Sequence, residues 1–155
     1  MEIKRRVVVA GLGSIGRRHA RMLQKRADVQ AEVLEPCAEV LAHAREELGD
    51  VFSHSSLAQA LKTMPDVIWL ATPTPLHAEQ AIESLEAGCH VFCEKPMSDS
   101  LRSARSIRNA VEASGKTFNV GFMWNFSPAM AALRAVIPWG ELGHIVPAHV
   151  RGGTY

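Results

Sequence analysis

Short apolar runs alternate along the chain with longer segments whose apolar residues recur at helical spacing. The first run, Val7-Val8-Val9-Ala10, leads straight into Gly11-Leu12-Gly13-Ser14-Ile15-Gly16. A run of that length closed by glycines predicts a buried strand and a tight turn. Beyond it, Ile15, His19, Met22 and Leu23 share one face, which predicts a helix from about Ser14. The same alternation continues. A second strand is expected at Ala31–Glu35, and a helix at Ala38–Leu48 with Gly49 as its C-terminal cap. A short strand at Val51-Phe52 precedes a brief helix capped by Ser55 or Ser56 and ending near Leu61. Asp66–Ala71 is apolar enough for a central parallel strand. The pattern then predicts a helix at Leu76–Ala87, a strand at His90–Cys93, and a helix capped by Ser98 or Asp99 and running to about Ala113. A sixth strand follows at Thr117–Gly121. Ser127-Pro128 opens a helix to about Ile137, and Ile145–Tyr155 reads as extended. Strands alternating with helices make a doubly wound parallel α/β sheet with right-handed crossovers.

The glycine cluster gives this sheet a chemistry. Strand, G-x-G-x-x-G and helix together form the dinucleotide-binding fingerprint of Rossmann-type folds. Gly11 permits the tight turn, Gly13 lets backbone approach a pyrophosphate, and Gly16 lets the helix pack close to the strand. The first helical turn offers free N–H groups and the positive end of the helix dipole to phosphates. Glu35, nineteen residues beyond Gly16, closes the second strand and can accept from the adenosine ribose hydroxyls. Pro36, Cys37 and Ala38 supply no charge to neutralise a 2′-phosphate, so NAD is expected in preference to NADP. Two overlapping motifs fail. Arg17 and Arg18 stand where a P-loop needs lysine and a hydroxyl, and Leu12 stands where a nucleophile elbow needs glycine. Arg17 lies in the first helical turn and can reach an anion; the remaining basic residues of that helix read as a solvated face.

Two further stretches fall at the carboxyl edge of the sheet, where open α/β folds bind ligands. Thr72-Pro73-Thr74-Pro75-Leu76-His77 is an extended turn forced by two prolines. Glu94-Lys95-Pro96 ends the fifth strand. Spacing alone leaves Lys95 open between a residue facing the cofactor crevice and one in a surface loop.

Composition narrows the function classes. The chain has 155 residues, 47% of them hydrophobic and 21% charged, which suits one globular domain. Its net charge of +1 gives no electrostatic case for nucleic acid or an anionic membrane. No apolar stretch reaches the ~18 residues of a membrane-spanning helix, and the N-terminus leads into a strand, so no secretory leader is expected. Cys37, Cys89 and Cys93 lack metal-ligand spacing and read as reduced thiols of a cytoplasmic protein. His19, His43, His54, His90, His144 and His149 sit in unrelated contexts and read as structural or surface residues; no metal site is expected. The basic residues of Met1–Arg6 read as solvated.

Three stretches together resemble the glucose–fructose oxidoreductase, inositol dehydrogenase and MocA (Gfo/Idh/MocA) oxidoreductases. They are Gly11-Leu12-Gly13-Ser14-Ile15-Gly16-Arg17-Arg18-His19, Ala71-Thr72-Pro73-Thr74-Pro75-Leu76-His77 and Glu94-Lys95-Pro96-Met97-Ser98. Val120-Gly121-Phe122 and Gly140–Ile145 look like that family's last Rossmann strand and the approach to its second domain. The resemblance implies NAD(P)-dependent oxidoreduction of sugars, cyclitols or related hydroxy compounds by a homo-oligomeric parent protein. It places Gly11, Gly13, Gly16 and Glu35 on the adenosine half, with Leu12, Ser14 and Ile15 of the same loop also cofactor-binding, and Thr72, Pro73 and His77 along the crevice. Glu94, Lys95 and Pro96 would border the nicotinamide, with Lys95 as the catalytic group. It also divides the chain into a dinucleotide-binding domain, 1–144, and the start of a substrate and oligomerisation domain, 145–155. The rest of that α+β domain is absent from this sequence. The sequence departs from the family at Asn125, where an arginine is common. A dinucleotide-binding or sensing module without turnover is the alternative.

Overall fold

A computed structural model describes residues 4–137. Six strands and five helices alternate through β1 (Arg5–Ala10), α1 (Ser14–Gln24), β2 (Val29–Leu34), α2 (Ala38–Leu48), β3 (Ser53–His54), α3 (Leu57–Lys62), β4 (Val67–Leu70), α4 (Thr74–Glu86), β5 (His90–Cys93), α5 (Leu101–Ser114) and β6 (Phe118–Val120). The strands form one parallel sheet in the order β3-β2-β1-β4-β5-β6. The order reverses between β1 and β4, and at such a switch point the loops leaving neighbouring strands diverge to open a crevice.

Strand pleating divides the core in two. Val8, Ala10, Leu34, Ile68, Leu70, Val91 and Cys93 point to the face covered by α3, α4 and α5. Val7, Val9 and Val33 point to the other face, where Leu12, Ala20 and Leu23 from the first crossover and Ala44 and Leu48 of α2 cover them. Both faces of β1 are therefore buried, which is why Val7–Ala10 reads as a continuous apolar run rather than an alternating one.

Local chemistry shifts several boundaries. The third strand pairs with β2 through Ser53 and His54, two residues later than expected. Val51 is buried in the α1–α2 core, while Phe52 is 64% exposed, its carbonyl accepting from Val33 N–H and its ring packing edge-on against His54. Helix α4 starts at Thr74 with Pro75 in its first turn, where a missing N–H costs nothing. Helix α5 is capped by Ser100, whose hydroxyl accepts from Ser103 N–H at 3.1 Å; the Ser98 hydroxyl donates to the Ser100 carbonyl instead.

Arg6 is not the solvated residue expected at the start of the chain. Its guanidinium donates to buried Glu32 through Nε at 3.0 Å and Nη2 at 2.9 Å, and to the Thr63 carbonyl. His54 approaches the second Glu32 oxygen at 2.8 Å. A carboxylate this deeply buried is tolerable only with such partners, and the network fixes the end of α3 against the sheet.

The sheet and these helices form one compact unit through Gly121; a second unit begins at Phe122. Its described part is a 3₁₀ turn at Met123–Phe126 and α6 (Pro128–Val136), with Ser127 and Pro128 in the expected capping positions. Arg134 of α6 donates to the Asn125 side-chain oxygen at 2.5 Å, so a guanidinium lies beside the position where the sequence lacks one. Residues 138–155, including the expected extended segment and the expected boundary at 144–145, lie outside the described residues.

Candidate dinucleotide and reaction site

The three motif glycines have different neighbours, and the differences assign their jobs. Gly11 has φ +85°, and a Cβ there would stand 2.9 Å from the Ala71 carbonyl and from Thr72 backbone. Only glycine combines that dihedral with so close an approach. A Cβ on Gly16 would stand 1.8 Å from the Gly11 carbonyl oxygen, so α1 can pack against the turn only if this residue has no side chain. Gly13 is the opposite case. It has φ −61° and ψ −177°, which any residue can adopt, and a Cβ would meet nothing within 4 Å. The fold therefore needs Gly11 and Gly16, while Gly13 leaves an open cradle at the start of α1. No acidic residue occupies the first turn of α1 and no side chain caps it, so its N–H groups and dipole favour an anion. Ser14 and Ile15 are exposed beside the cradle; Leu12 is fully buried and offers backbone only.

Glu35 follows β2 and turns back to this loop. One carboxylate oxygen accepts from Leu12 N–H and the other from Cys37 N–H, both at 3.0 Å. The acid thus pins the glycine loop to the start of α2, with lone pairs left for ribose hydroxyls. Arg17 is also held: Nη1 donates to the Leu12 carbonyl at 3.1 Å and Nε to Glu47 at 3.1 Å. Its charge is already engaged by α2, which counts against its serving as a free anion ligand.

The other half of the site lies past β5. Glu94 is half-buried, with Oε1 2.8 Å from His19 Nε2 of α1. The His19 ring packs 4.8 Å from Trp69 of β4, and Trp69 lies 3.9 Å from Phe92 of β5. A Cβ on Gly121 would come within 3.1 Å of both Glu94 Oε1 and Phe92, so this glycine makes room for the carboxylate. Lys95 and Pro96 are exposed, and the peptide bond joining them is cis. Cys93, just before, is buried; burial, reinforced by the Glu94 charge, pushes its thiol up to about 12, so it packs and does not react at neutral pH.

His77 is 1% exposed. Its Nε2 lies 2.8 Å from the Thr72 carbonyl and its Nδ1 2.9 Å from the Pro96 carbonyl. The Thr72 hydroxyl donates to Gln80 of α4 at 2.6 Å, and Pro73 is exposed on the turn. The residues expected along the crevice are therefore built into one support, with His77 beneath the surface bridging the turns after β4 and β5. His19, read from sequence as structural or surface, belongs to this group. The available signal was its position three residues beyond Gly16, on the face of α1 that packs toward the sheet.

A Rossmann domain with an open, anion-favouring glycine cradle and an acid at the end of β2 is a dinucleotide-binding domain. Residues Gly13–Ile15 fit a pyrophosphate and Glu35 fits an adenosine ribose. A family model described as "Oxidoreductase family, NAD-binding Rossmann fold" matches residues 5–122. The chain is 32% identical over 139 residues to 4-carboxy-2-hydroxymuconate-6-semialdehyde dehydrogenase of Sphingobium sp., covering 88% of this chain and 44% of that relative. It is 34% identical over 150 residues to inositol 2-dehydrogenase of Mycolicibacterium smegmatis, covering 93% and 43%. Among solved structures, the WlbA dehydrogenase of Bordetella pertussis, in complex with NADH and UDP-GlcNAcA, superposes with a TM-score of 0.82 at 28% identity, covering 92% of this chain and 42% of that one. The chain belongs to the Gfo/Idh/MocA oxidoreductase family and carries its NAD-binding domain. It spans less than half the length of the curated relatives it matches. Among the described residues no helix is long and apolar enough to cross a membrane.

Proposed function

We propose that the protein is an NAD-dependent oxidoreductase of sugars, cyclitols or related hydroxy compounds. In this reading, residues 1–144 are its cofactor-binding domain, and residues 145–155 begin a substrate and oligomerisation domain of a homo-oligomer. The observation that carries it is the pairing of the Gly13 cradle with Lys95 at the carboxyl edge of the same sheet. Inositol 2-dehydrogenase among the relatives supports the substrate class. Gly13 and the first turn of α1 hold the pyrophosphate, and Glu35 holds the adenosine ribose. Bound NAD supplies a hydride acceptor. Lys95 orients the substrate hydroxyl and stabilises charge developing on its oxygen, which a positioned ammonium does without reorganisation.

In the intact protein, with a panel of cyclitols and sugars, Lys95→Met should lower NAD-dependent turnover about 100-fold or more, the scale of losing one positioned charge-stabilising group. NADH affinity measured by calorimetry should change little. Normal turnover by Lys95→Met would make the lysine a loop residue. NADH binding without turnover of any panel member would favour the binding or sensing module.

A further inference from the structure

Each neighbour of Lys95 in the chain is bonded to a histidine from a different helix. On one side Glu94 is bonded to His19 of α1 at 2.8 Å; on the other the Pro96 carbonyl is bonded to His77 of α4 at 2.9 Å. We propose that His19 and His77 are positioning residues that clamp Glu94-Lys95-Pro96 from both sides and so fix the origin of the Lys95 side chain.

Neither histidine is free to wander. The His19 ring is held against Trp69 and Phe92, 4.8 and 6.2 Å away between ring centres, and the Glu94 carboxylate is hemmed in by Gly121. His77 is buried, with its ring between the Pro96 carbonyl on one side and the Thr72 carbonyl, 2.8 Å from Nε2, on the other. A lysine side chain has four rotatable bonds on a flexible stem, so a fold can direct its ammonium only by fixing the backbone it grows from. The two clamps also join Lys95 to two other parts of the site. His19 belongs to the helix whose first turn forms the phosphate cradle. His77 bonds the turn after β4, whose backbone lies against Gly11. Cradle and lysine are thereby parts of one support.

The inference takes from the proposed function only that Lys95 is worth positioning. Its test therefore reads the backbone, not turnover. Amide hydrogen exchange is measured on the intact protein for Glu94, whose N–H is bonded to the Leu70 carbonyl at 2.9 Å, and for Lys95, whose N–H is bonded to the Glu94 carboxylate at 3.3 Å, with β1 and β2 amides as internal references. His19→Leu and His77→Leu should each speed exchange at these two amides about 10-fold or more, with the reference amides and ADP-ribose affinity unchanged. His19→Gln keeps a donor for the Glu94 carboxylate and should restore slow exchange. His77→Gln, which still offers N–H groups to carbonyls, replaces His77→Leu if that variant does not fold, and it should give an intermediate rate. Lys95→Met should exchange like wild type, so a failed catalytic role for Lys95 shows in turnover and a failed clamp shows here. Wild-type exchange at Glu94 and Lys95 in the histidine variants would overturn the clamp. An even rise across β1 and β2 would also overturn it, reducing both histidines to general fold stability.

Discussion

Gly13→Val separates binding from folding at one position. The residue sits at φ −61° and ψ −177°, so valine fits the backbone without strain, and its Cβ would meet no protein atom within 4 Å. Two small effects on stability oppose each other. Replacing glycine at a compatible site lowers the entropy of the unfolded chain by about 0.4–1 kcal/mol equivalent, while valine is a poorer N-cap than glycine by a comparable amount. The net change should stay within about 1 kcal/mol, or a Tm shift of a few degrees for a chain of this size. Binding should respond differently, because the branched side chain fills the cradle and keeps an anion from the first-turn N–H groups. Hydrogen bonds to a charged group contribute about 1.5–3 kcal/mol each, so losing even one weakens NADH binding roughly 10- to 150-fold. Gly16→Ala is the control of opposite sign. Its Cβ would fall 1.8 Å from the Gly11 carbonyl oxygen, which backbone cannot yield without displacing α1. That places it at or beyond the ~3 kcal/mol upper end of ordinary overpacking. Calorimetric titration with NADH beside thermal unfolding distinguishes the two. Wild-type NADH affinity in Gly13→Val would refute the cradle, and a fall in Tm matching that of Gly16→Ala would refute the claim that the fold does not need this glycine.

Glu35→Ala should weaken NADH binding and strengthen NADPH binding. Two unit charges ~4 Å apart at an effective dielectric of 20 interact by ~4 kcal/mol, and a quarter of that is already a several-fold preference. Paired titrations at low and moderate salt check it, and tighter NADPH binding by the wild type would refute the role given to Glu35. The Asp66 carboxyl is held below its ordinary value of 3.8, chiefly because Arg6 N–H donates to it at 2.8 Å, with Arg5 reinforcing the effect. Its charged form is thus favoured by folding, and the stabilisation present at neutral pH is lost as pH falls through the lowered value. Asp66→Asn should lower the urea midpoint at pH 7, with the gap to wild type closing below pH 3.8; a gap that persists undiminished in acid would refute it.

Much of this domain is written locally. Val7–Ala10 reads as a strand buried on both faces, because a β-branched apolar run this short, closed by a glycine turn, suits a central parallel strand. The G-x-G-x-x-G spacing, the helix after it and the acid after β2 follow from the same short-range chemistry, and so does the expectation of a dinucleotide. Local pattern could not supply the sheet order or the partners that the order creates. Glu35 reads in sequence as an acid for ribose; only the β1–β2 pairing reveals that it also bonds Leu12 N–H across 23 positions. Arg6 reads as a solvated cation, yet the neighbouring strand presents Glu32 to it. His19 and Glu94 stand 75 residues apart, and nothing in either neighbourhood marks the other. They meet because α1 lies over β1 and β2 on the face where Trp69 and Phe92 stack, and the His19 ring reaches across to those two rings. His77 carries the same lesson: its spacing from the prolines places it on α4, but only the approach of the turn after β5 gives its second nitrogen a carbonyl. The sequence by itself determined the order of the elements and the cofactor chemistry, because these depend on apolar periodicity and on a glycine–acid spacing that can be read along the chain. The tertiary structure decided how Lys95 is held, because that depends on which strands become neighbours.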